Sequence, residues 1–520
     1  MRITNKIMQR NNLSNINTNK IYQDKLSTQM STQKKVNRPS DDPVVAIRAL
    51  RLRSSVTEVT QYYSKNIPDA ESWLNVTEDA LKNLSEIVTN MISQCTKGSN
   101  GDLTTQDRQI ILEELKALGE EVYSTGDADY AGRYVFTGYR TDTSLSFGAS
   151  EETNYTITEQ LDNTAIDQIT KVNTGEIKNW TSGNFNTAPI KDIAETDVDS
   201  LEVYRIRLSY NNCRDDGTAP TIVYGKTGAD DPGTVLTAAM VHSYADPDPY
   251  TVTAGDPDAV IYVPETGELL LGKNRHDALM AVKDDPATAY DEGEIRVTYQ
   301  KNQWESGDLH PEHYFYCEAE KKNAAGTTDT IKYNEDYLTG DPERQEIEYD
   351  VGFNQTIRVN STADECFQQG IGREVDDLVD AMQEVLDLEG IKAGISNALE
   401  NTTDAADQKT LQKQLDAVEK ALTLSKDKCQ KMFEGGITAF QGYLDAANLS
   451  ITNCGSRSKK LELIENRMQN QKTTFETLKS ENEDVDITEV AIQLSSAELT
   501  YEAALMATGK VMQTSLLNFI

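Results

Sequence analysis

The chain has few of the residues on which catalytic and metal-binding sites usually depend. Its 520 residues include only four histidines and six cysteines. The cysteines lie too far apart in sequence for a disulfide framework or a zinc site, both of which group their ligands closely. The one histidine pair, His310 and His313, encloses Pro311, which breaks any helix that would align the two rings, so we expect a surface loop there.

The motifs of common enzyme families are also missing. The chain contains no GxSxG, GxGxxG, HExxH or P-loop pattern, which would otherwise indicate a nucleophile, a dinucleotide, a zinc ion or a phosphate. Two acidic pairs, at residues 246–248 and 256–258, lack the glycine and spacing of a calcium loop; solvated turns are predicted, with a weak calcium site as the alternative. We therefore predict a protein that is not an enzyme and that has no catalytic, metal or cofactor site.

Long apolar runs are absent too. No run approaches the roughly 18 apolar residues of a membrane-spanning helix. The first residues, Met1–Ile7, lack the apolar segment of a secretory signal peptide. We expect no membrane span, and either a cytoplasmic protein or one that is exported without a cleaved signal.

Positive charge is scarce over most of the chain, whose formal net charge is -35. Residues 141–365 hold 17 Lys or Arg against 43 Asp or Glu, which opposes nucleic acid as a partner because phosphates would be repelled. Residues 1–53 are basic, with 11 Lys or Arg against 3 Asp or Glu. They lack the broad apolar face of a membrane-surface helix, so no membrane partner is predicted.

The distribution of proline divides the chain into three parts. Ten of the 13 prolines lie between Pro189 and Pro342, and none lies between Pro68 and Pro189 or after Pro342. Because proline is excluded from helix interiors, both flanks are predicted to be helical and the centre to consist of strands and loops. A chain of this length is also too long for a single core.

Both flanks carry apolar residues at heptad spacing. One stripe runs from Leu52 to Cys95, and a longer one runs from Leu461 to Val511. The first has a stutter at Val59–Tyr63–Ile67 just before Pro68, so a bend or local unwinding is expected there. The centre instead alternates with period two, at residues 201–210, 259–263, 294–299 and 314–319, and Pro264–Glu268 is a hairpin signal.

These patterns predict an α + β multidomain fold. A long antiparallel α-helical coiled-coil rod is built from both termini, and one or two antiparallel β domains are inserted into it. Residues 1–43 and 485–520 are assigned to a terminal assembly coiled coil, 44–140 and 366–484 to a helical rod domain, and 141–365 to the inserted outer β region. The basic start and the acidic end are expected to associate antiparallel, partly through charge.

Several segments resemble the flagellin superfamily. The first is the linker motif Asn37, Arg38, Pro39, Ser40, Asp41, Asp42, Pro43. Residues 77–81 and, at the other end, residues 491–494, 501–505 and 515–520 are similar to helices of that superfamily. Within it, residues 129–138, with their Gly132–Gly138 pattern G-x-Y-x-F-x-G, resemble the start of the β region in proteins of the hook–filament junction. The middle of the chain departs from the family.

The resemblance implies a structural adaptor of the bacterial flagellum, outside the cell at the hook–filament junction, on which the flagellin filament grows. Its implied partners are copies of itself in a ring, a neighbouring hook-associated protein, flagellin, and a cytoplasmic chaperone before export without a cleaved signal. Flagellin itself or another hook-associated protein is the alternative, although the Gly132–Gly138 pattern and the end at Ile520 speak against flagellin. A catalytic insert between coiled arms is a third hypothesis, without a supporting motif.

The terminal helices are predicted to carry the assembly interface. Their apolar residues are separated by Asn, Gln, Ser and Thr, and such a thin stripe completes its burial best against neighbouring molecules. The predicted interface residues are Ile3, Ile7, Leu13, Ile16, Leu26, Met30, Leu494, Tyr501, Leu505, Val511, Leu516, Leu517 and Phe519.

Overall fold

Long helices occupy both ends of the chain, and antiparallel sheets lie between them in sequence. The computed structural model describes residues 5–225, 233–281, 295–322, 328–339 and 345–513. About 59% of the structure is helical, and the predicted α + β multidomain class is confirmed.

The described helices are α1 (Asn5–Thr32), α2 (Pro43–Gln61), α3 (Ile67–Gly98), α4 (Thr105–Ser124), α5 (Pro249–Gly255), α6 (Lys273–Met280), α7 (Ala363–Cys366), α8 (Gly370–Asn401), α9 (Ala405–Glu483) and α10 (Ile487–Gln513). The described strands are β1 (Asp129–Tyr130), β2 (Arg133–Tyr134), β3 (Asn154–Leu161), β4 (Ile166–Asn173), β5 (Asp199–Arg207), β6 (Thr221–Tyr224), β7 (Thr234–Thr237), β8 (Ala239–Met240), β9 (Val260–Val263), β10 (Glu268–Leu271), β11 (Ile295–Lys301), β12 (Tyr316–Lys322), β13 (Thr328–Tyr333), β14 (Glu348–Gly352) and β15 (Gln355–Arg358).

The break between α2 and α3 confirms the expectation drawn from the stutter. A π-helical turn, Tyr62–Asn66, joins the two helices. A π-turn absorbs the surplus residue that a stutter adds to a heptad pattern, so the apolar stripe can stay on one face. On both sides of the turn that stripe is buried, at Val59, Ile67 and Ala70.

The chain divides into two compact units. The terminal unit comprises Met1–Glu71, Tyr349–Ile357 and Lys459–Ile520, and the central unit comprises Ser72–Glu348 and Arg358–Ser458. Each unit is therefore assembled from segments that are far apart in sequence.

The central unit contains two larger sheets. One has the strand order β4-β5-β10-β9-β8 and the other the order β13-β12-β3-β11-β6-β7. Neighbouring strands are antiparallel throughout, except for the parallel pair β8 and β9. The strands predicted from alternation are confirmed as β5, β9, β11 and β12, and the predicted hairpin joins β9 to β10.

The two sheets share one hydrophobic core. Alternate residues of β11, namely Ile295, Val297 and Tyr299, point into it, together with Ile206 and Leu269 of the other sheet. This alternation is what the period-two pattern in the sequence encodes, because successive side chains of a strand point to opposite faces.

An ion-pair network joins the five-stranded sheet to α8. On β5, Arg205 donates hydrogen bonds to Glu268 of β10 and to Asp377 of α8. Arg207 donates to Asp377 at 2.7 Å and lies 3.3 Å from Glu374. Burial alone would raise the pKa of Asp377, but Arg205 and Arg207 outweigh it and hold that pKa below its ordinary value.

A tryptophan joins the segment between β4 and β5 to α8 and α9. Trp180 is buried, and its Nε1 donates to Oε1 of Gln414 at 2.9 Å. The amide of Gln414, itself fully buried, donates to the carbonyl oxygens of Phe185 and Ile190 at 2.7 and 3.0 Å. On α8, a Cβ at Gly394 would lie 2.7 Å from the indole ring, so only glycine leaves room for it.

The expectation of a surface loop at the histidine pair was wrong. Pro311–His313 is a 3₁₀ turn in which Pro311 and Glu312 are buried, and His310 stacks on Phe147 with ring centroids 3.6 Å apart. Burial lowers the pKa of His310 to about 3 and that of His313 to about 4, so both rings are neutral at physiological pH. The burial of this turn could not be read from the sequence around it.

Candidate assembly surface

The linker motif, residues 37–43, forms a turn followed by a helix cap. The amide of Asp41 donates to the carbonyl of Arg38 at 2.9 Å, and the amide of Arg38 donates to the Asp41 carboxylate at 3.0 Å. The Asp42 carboxylate then accepts from the amides of Val44 and Val45 at 3.0 and 3.1 Å, and Pro43 occupies the first turn of α2. The aspartate cap accepts from free amides at the helix start, and proline in the first turn has no amide N–H to satisfy.

Asp42→Ala should therefore destabilise α2, because two amides lose their acceptor. We expect a loss of about 1 kcal/mol in the free energy of unfolding. Asp42→Asn keeps a capping oxygen and serves as the matched control. Denaturant unfolding monitored by circular dichroism measures both. Equal midpoints for the alanine variant and the native chain would contradict the assigned cap.

Beside this motif, the segment that follows α1 is hydrogen-bonded to the segment that precedes α10. The amide of Lys35 donates to the carbonyl of Glu483 at 2.7 Å, and the amide of Val485 donates to that of Gln33 at 3.1 Å. From α2, Arg53 donates to both carboxylate oxygens of Glu483 at 2.6 and 2.7 Å. The Arg53 hydrogen bonds hold the pKa of the buried Glu483 below its ordinary value. We refer to residues 33–35, 53 and 483–485 as the linker clamp.

Beyond the clamp, α1 and α10 run antiparallel and pack together. Leu26 of α1 is buried with Val490 and Ala497 of α10. Further along, the Tyr22 hydroxyl donates to Gln493 at 3.3 Å. On α1, the half-buried positions of this seam include Gln9, Asn12, Ile16, Asn19 and Gln23, so much of the seam is polar.

Ion pairs connect the N-terminal and C-terminal segments over only part of their length. Lys34 pairs with Asp484 and lies 3.6 Å from Glu483, and Arg53 binds Glu483, so the linkers are held by ion pairs as expected. Within the described parts of α1 and α10, however, no ion pair links the two helices. Their seam is made of apolar and amide side chains, and their charged side chains are exposed.

The structure places the predicted interface residues on different faces. Leu26 is buried in the seam; Ile16, Leu494 and Tyr501 are half-buried; Ile7, Leu13, Met30 and Leu505 are exposed. Val511 belongs to α10, and the surroundings of its side chain are not described. Ile3, Leu516, Leu517 and Phe519 lie outside the described residues.

One apolar row on α10 was missed by the sequence analysis. Ile492, Leu499 and Met506 are 66%, 69% and 70% exposed, and they are spaced by seven residues. A spacing of seven places them on one line along the helix, nearly opposite Val490 and Ala497. Their spacing was a readable signal, but the stripe through Leu494 and Tyr501 already accounted for an amphipathic helix.

The described residues include no helix that is long and apolar enough to cross a membrane. They also contain no group of three or more His, Cys, Asp or Glu side chains arranged to hold a metal ion.

Residues 3–141 match the family model of the bacterial flagellin N-terminal helical region. The chain is 28% identical over 166 residues to flagellar hook-associated protein 3 of Salmonella typhimurium, which covers 31% of this chain and 52% of that protein. It is 29% identical over 144 residues to flagellar hook-associated protein 3 of Escherichia coli, covering 28% and 45%. A flagellin of Clostridium tyrobutyricum is 29% identical over 122 residues, covering 24% and 32%. The chain thus spans about half the length of the curated hook-associated relatives it matches.

Proposed function

We propose that this chain belongs to the flagellin superfamily and is a structural component of the bacterial flagellum, located at the hook–filament junction. The observation that carries the proposal is the match of residues 3–141 to the flagellin N-terminal helical region, together with two relatives that are both hook-associated protein 3. This protein would act as the adaptor on which the flagellin filament grows. Its export would need no cleaved signal peptide.

The Gly132–Gly138 pattern, which resembles that of hook–filament junction proteins, supports the junction protein over flagellin, and its residues are packed into the structure. Val135 and Phe136 are buried, and Phe136 meets Phe367 with ring centroids 4.8 Å apart. The Phe136 carbonyl accepts from the amide of Ala363, the first residue of α7, at 3.0 Å. These contacts hold the segment that enters the β-rich region against the segment that follows that region, at residues 363–367. Flagellin remains the alternative, because a flagellin also matches, over a smaller share of its length.

The terminal unit supplies the proposed assembly surface. We assign this role to the predicted residues of α1 and α10 and the segments beyond them, residues 1–43 and 485–520. Residues 44–140 and 366–484 are assigned to a coiled-coil rod, and 141–365 to an outer β region whose acidic excess suits contact with water. The proposed partners are further copies of the chain, a neighbouring hook-associated protein, flagellin and an export chaperone.

Labelling of isolated flagella tests the location. An epitope tag inserted between the exposed residues Asp216 and Gly217 is detected with gold-conjugated antibody by electron microscopy. We expect one labelled band between hook and filament. Label spread along the filament would favour flagellin instead, and unlabelled flagella from cells that produce the tagged chain would contradict both readings.

A further inference from the structure

The turn that contains the two buried histidines is hydrogen-bonded to residues 144–147. The amide of His310 donates to the carbonyl of Leu145 at 2.9 Å, and Nε2 of His313 donates to the carbonyl of Ser144 at 3.0 Å. The amide of Phe147 donates to the carbonyl of Asp308 at 2.8 Å. We refer to residues 144–147 and 307–313 as the histidine latch.

The first segment of the latch is also anchored to the helical part of the central unit. Directly after α4, the Asp127 carboxylate accepts from the amides of Leu145 and Ser146 at 2.7 and 3.0 Å. Leu145 is fully buried, and a Cβ at Gly126 would lie 2.4 Å from its side chain. Residues 144–147 are therefore held both by the end of α4 and by the histidine turn.

Neither histidine ring has an acceptor for a second proton. His310 stacks on Phe147 with ring centroids 3.6 Å apart. His313 uses its Nε2–H for the hydrogen bond to Ser144, so its Nδ1 carries the lone pair. Both Nδ1 atoms are buried, and among the described residues neither has a hydrogen-bond partner. A second proton on either ring would leave a buried, charged N–H unpaired, which is unfavourable.

The charges around the two rings oppose their protonation on balance. Arg140 repels a positive charge on either ring, and Lys321 repels one on the first ring. The buried carboxylate of Glu312, in the same turn, lies 2.8 Å from the Arg140 guanidinium and is paired with it. Asp142 attracts a charge on His313, but the desolvation of that ring is the larger effect.

We propose that the histidine latch is acid-sensitive: it holds the β-rich region against the end of α4 at neutral pH and opens when His310 and His313 are protonated. In the closed latch the neutral rings are buried and bonded as described. In the open latch both rings reach water, which hydrates the added N–H groups. The proposal concerns a single chain and does not rest on the proposed function.

Proton uptake by the open state determines the direction and size of the effect. Burial lowers the pKa of His310 to about 3 and that of His313 to about 4, from an ordinary value of 6.5. As pH falls below 6.5, the open state therefore binds protons that the closed state does not bind, and opening becomes more favourable. Between about pH 7.5 and about pH 5 the open population should rise about a thousandfold, with about thirtyfold from each ring.

Hydrogen exchange of the full-length chain over this pH range tests the latch. The amides of Leu145, Phe147 and His310 are hydrogen-bonded in the closed state and report its opening, once the measured rates are divided by the pH-dependent intrinsic rates. We expect the thousandfold rise in these amides and little change in α3. An equal rise in α3 would mean that the whole chain unfolds, and would overturn the proposal.

Two substitutions remove the titrating groups and keep the packing. His310→Phe keeps a flat ring against Phe147, and His313→Gln keeps an N–H donor for the carbonyl of Ser144. Each single variant should retain about a thirtyfold effect of pH, and the double variant almost none. Each chain is compared only with itself at another pH, so a change in overall stability does not affect the result.

An undiminished effect of pH in the double variant overturns the latch. If the double variant does not fold, the single variants decide, since an undiminished effect in both overturns the proposal as well. The matched control is His242→Gln with His276→Gln, which removes two other imidazoles of the β-rich region, beside Glu265 and Asp277. This chain should keep the native pH dependence in the latch amides, and its loss there would assign the effect to the control rings and overturn the proposal.

Discussion

A chain carrying Leu499→Asp and Met506→Asp should remain folded and should no longer assemble. Both side chains are more than two-thirds exposed, so the substitutions remove little buried surface within the chain. In an assembly they would place two carboxylates in an apolar contact. Losing the burial of two such side chains costs about 3 kcal/mol or more, which corresponds to at least a hundredfold weaker association.

Leu26→Asp is the matched variant on the inner face. Leu26 is 2% exposed and packs on Val490 and Ala497, so this substitution should separate α1 from α10 within the chain. Hydrogen exchange distinguishes the two variants: amides of α1 should lose protection with Leu26→Asp and keep it with the α10 variant. Filament assembly on isolated hooks measures the outcome. Normal assembly by the α10 variant would remove the exposed row from the interface.

Trp180→Ala is expected to have the largest effect on stability in the central unit. The substitution empties the space of a buried indole and leaves the Gln414 side chain without one of its partners. Replacing a buried tryptophan by alanine costs about 3–5 kcal/mol. The loss should be felt first in α9 around Gln414, because the segment that carries Phe185 and Ile190 is held there by the same amide.

Trp180→Phe separates the two contributions to that loss. It keeps an aromatic ring in the site and removes the indole N–H with only part of the ring volume, so its cost should be clearly smaller. Hydrogen exchange at residues 408–420, with denaturant unfolding of the full chain, measures both variants. Unchanged protection in the alanine variant would show that α9 does not depend on this contact.

The sequence was most informative where a regular pattern extended over many residues. The heptads and the absence of proline predicted the long helices, and the stutter before Pro68 predicted the local unwinding that appears as a π-turn at Tyr62–Asn66. The period-two runs predicted four strands, because alternation encodes a half-buried sheet without knowledge of its neighbours. In these regions, local sequence and tertiary environment favour the same structure.

Contacts between distant segments could not be predicted in the same way. Trp180 and Gln414 are 234 residues apart, and Arg205 and Asp377 are 172 apart. Nothing in the residues around any of these four indicates its partner. The candidate interface shows the same limit. Both apolar rows of α10 repeat every seven residues in the sequence, and only packing against α1 distinguishes the inner row from the exposed one.

The linker clamp has a consequence for how the ends of the chain find each other. α1 and α10 are separated by more than 450 residues in sequence, and random closure of so long a loop is entropically unfavourable. The clamp holds Gln33–Lys35 and Glu483–Val485 together at the base of both helices. Each helix is then tethered beside the other at a high effective concentration, so their pairing becomes almost local. The two most distant parts of the chain can close like the strands of a hairpin, from the clamp outward, which lets a largely polar seam suffice to join them.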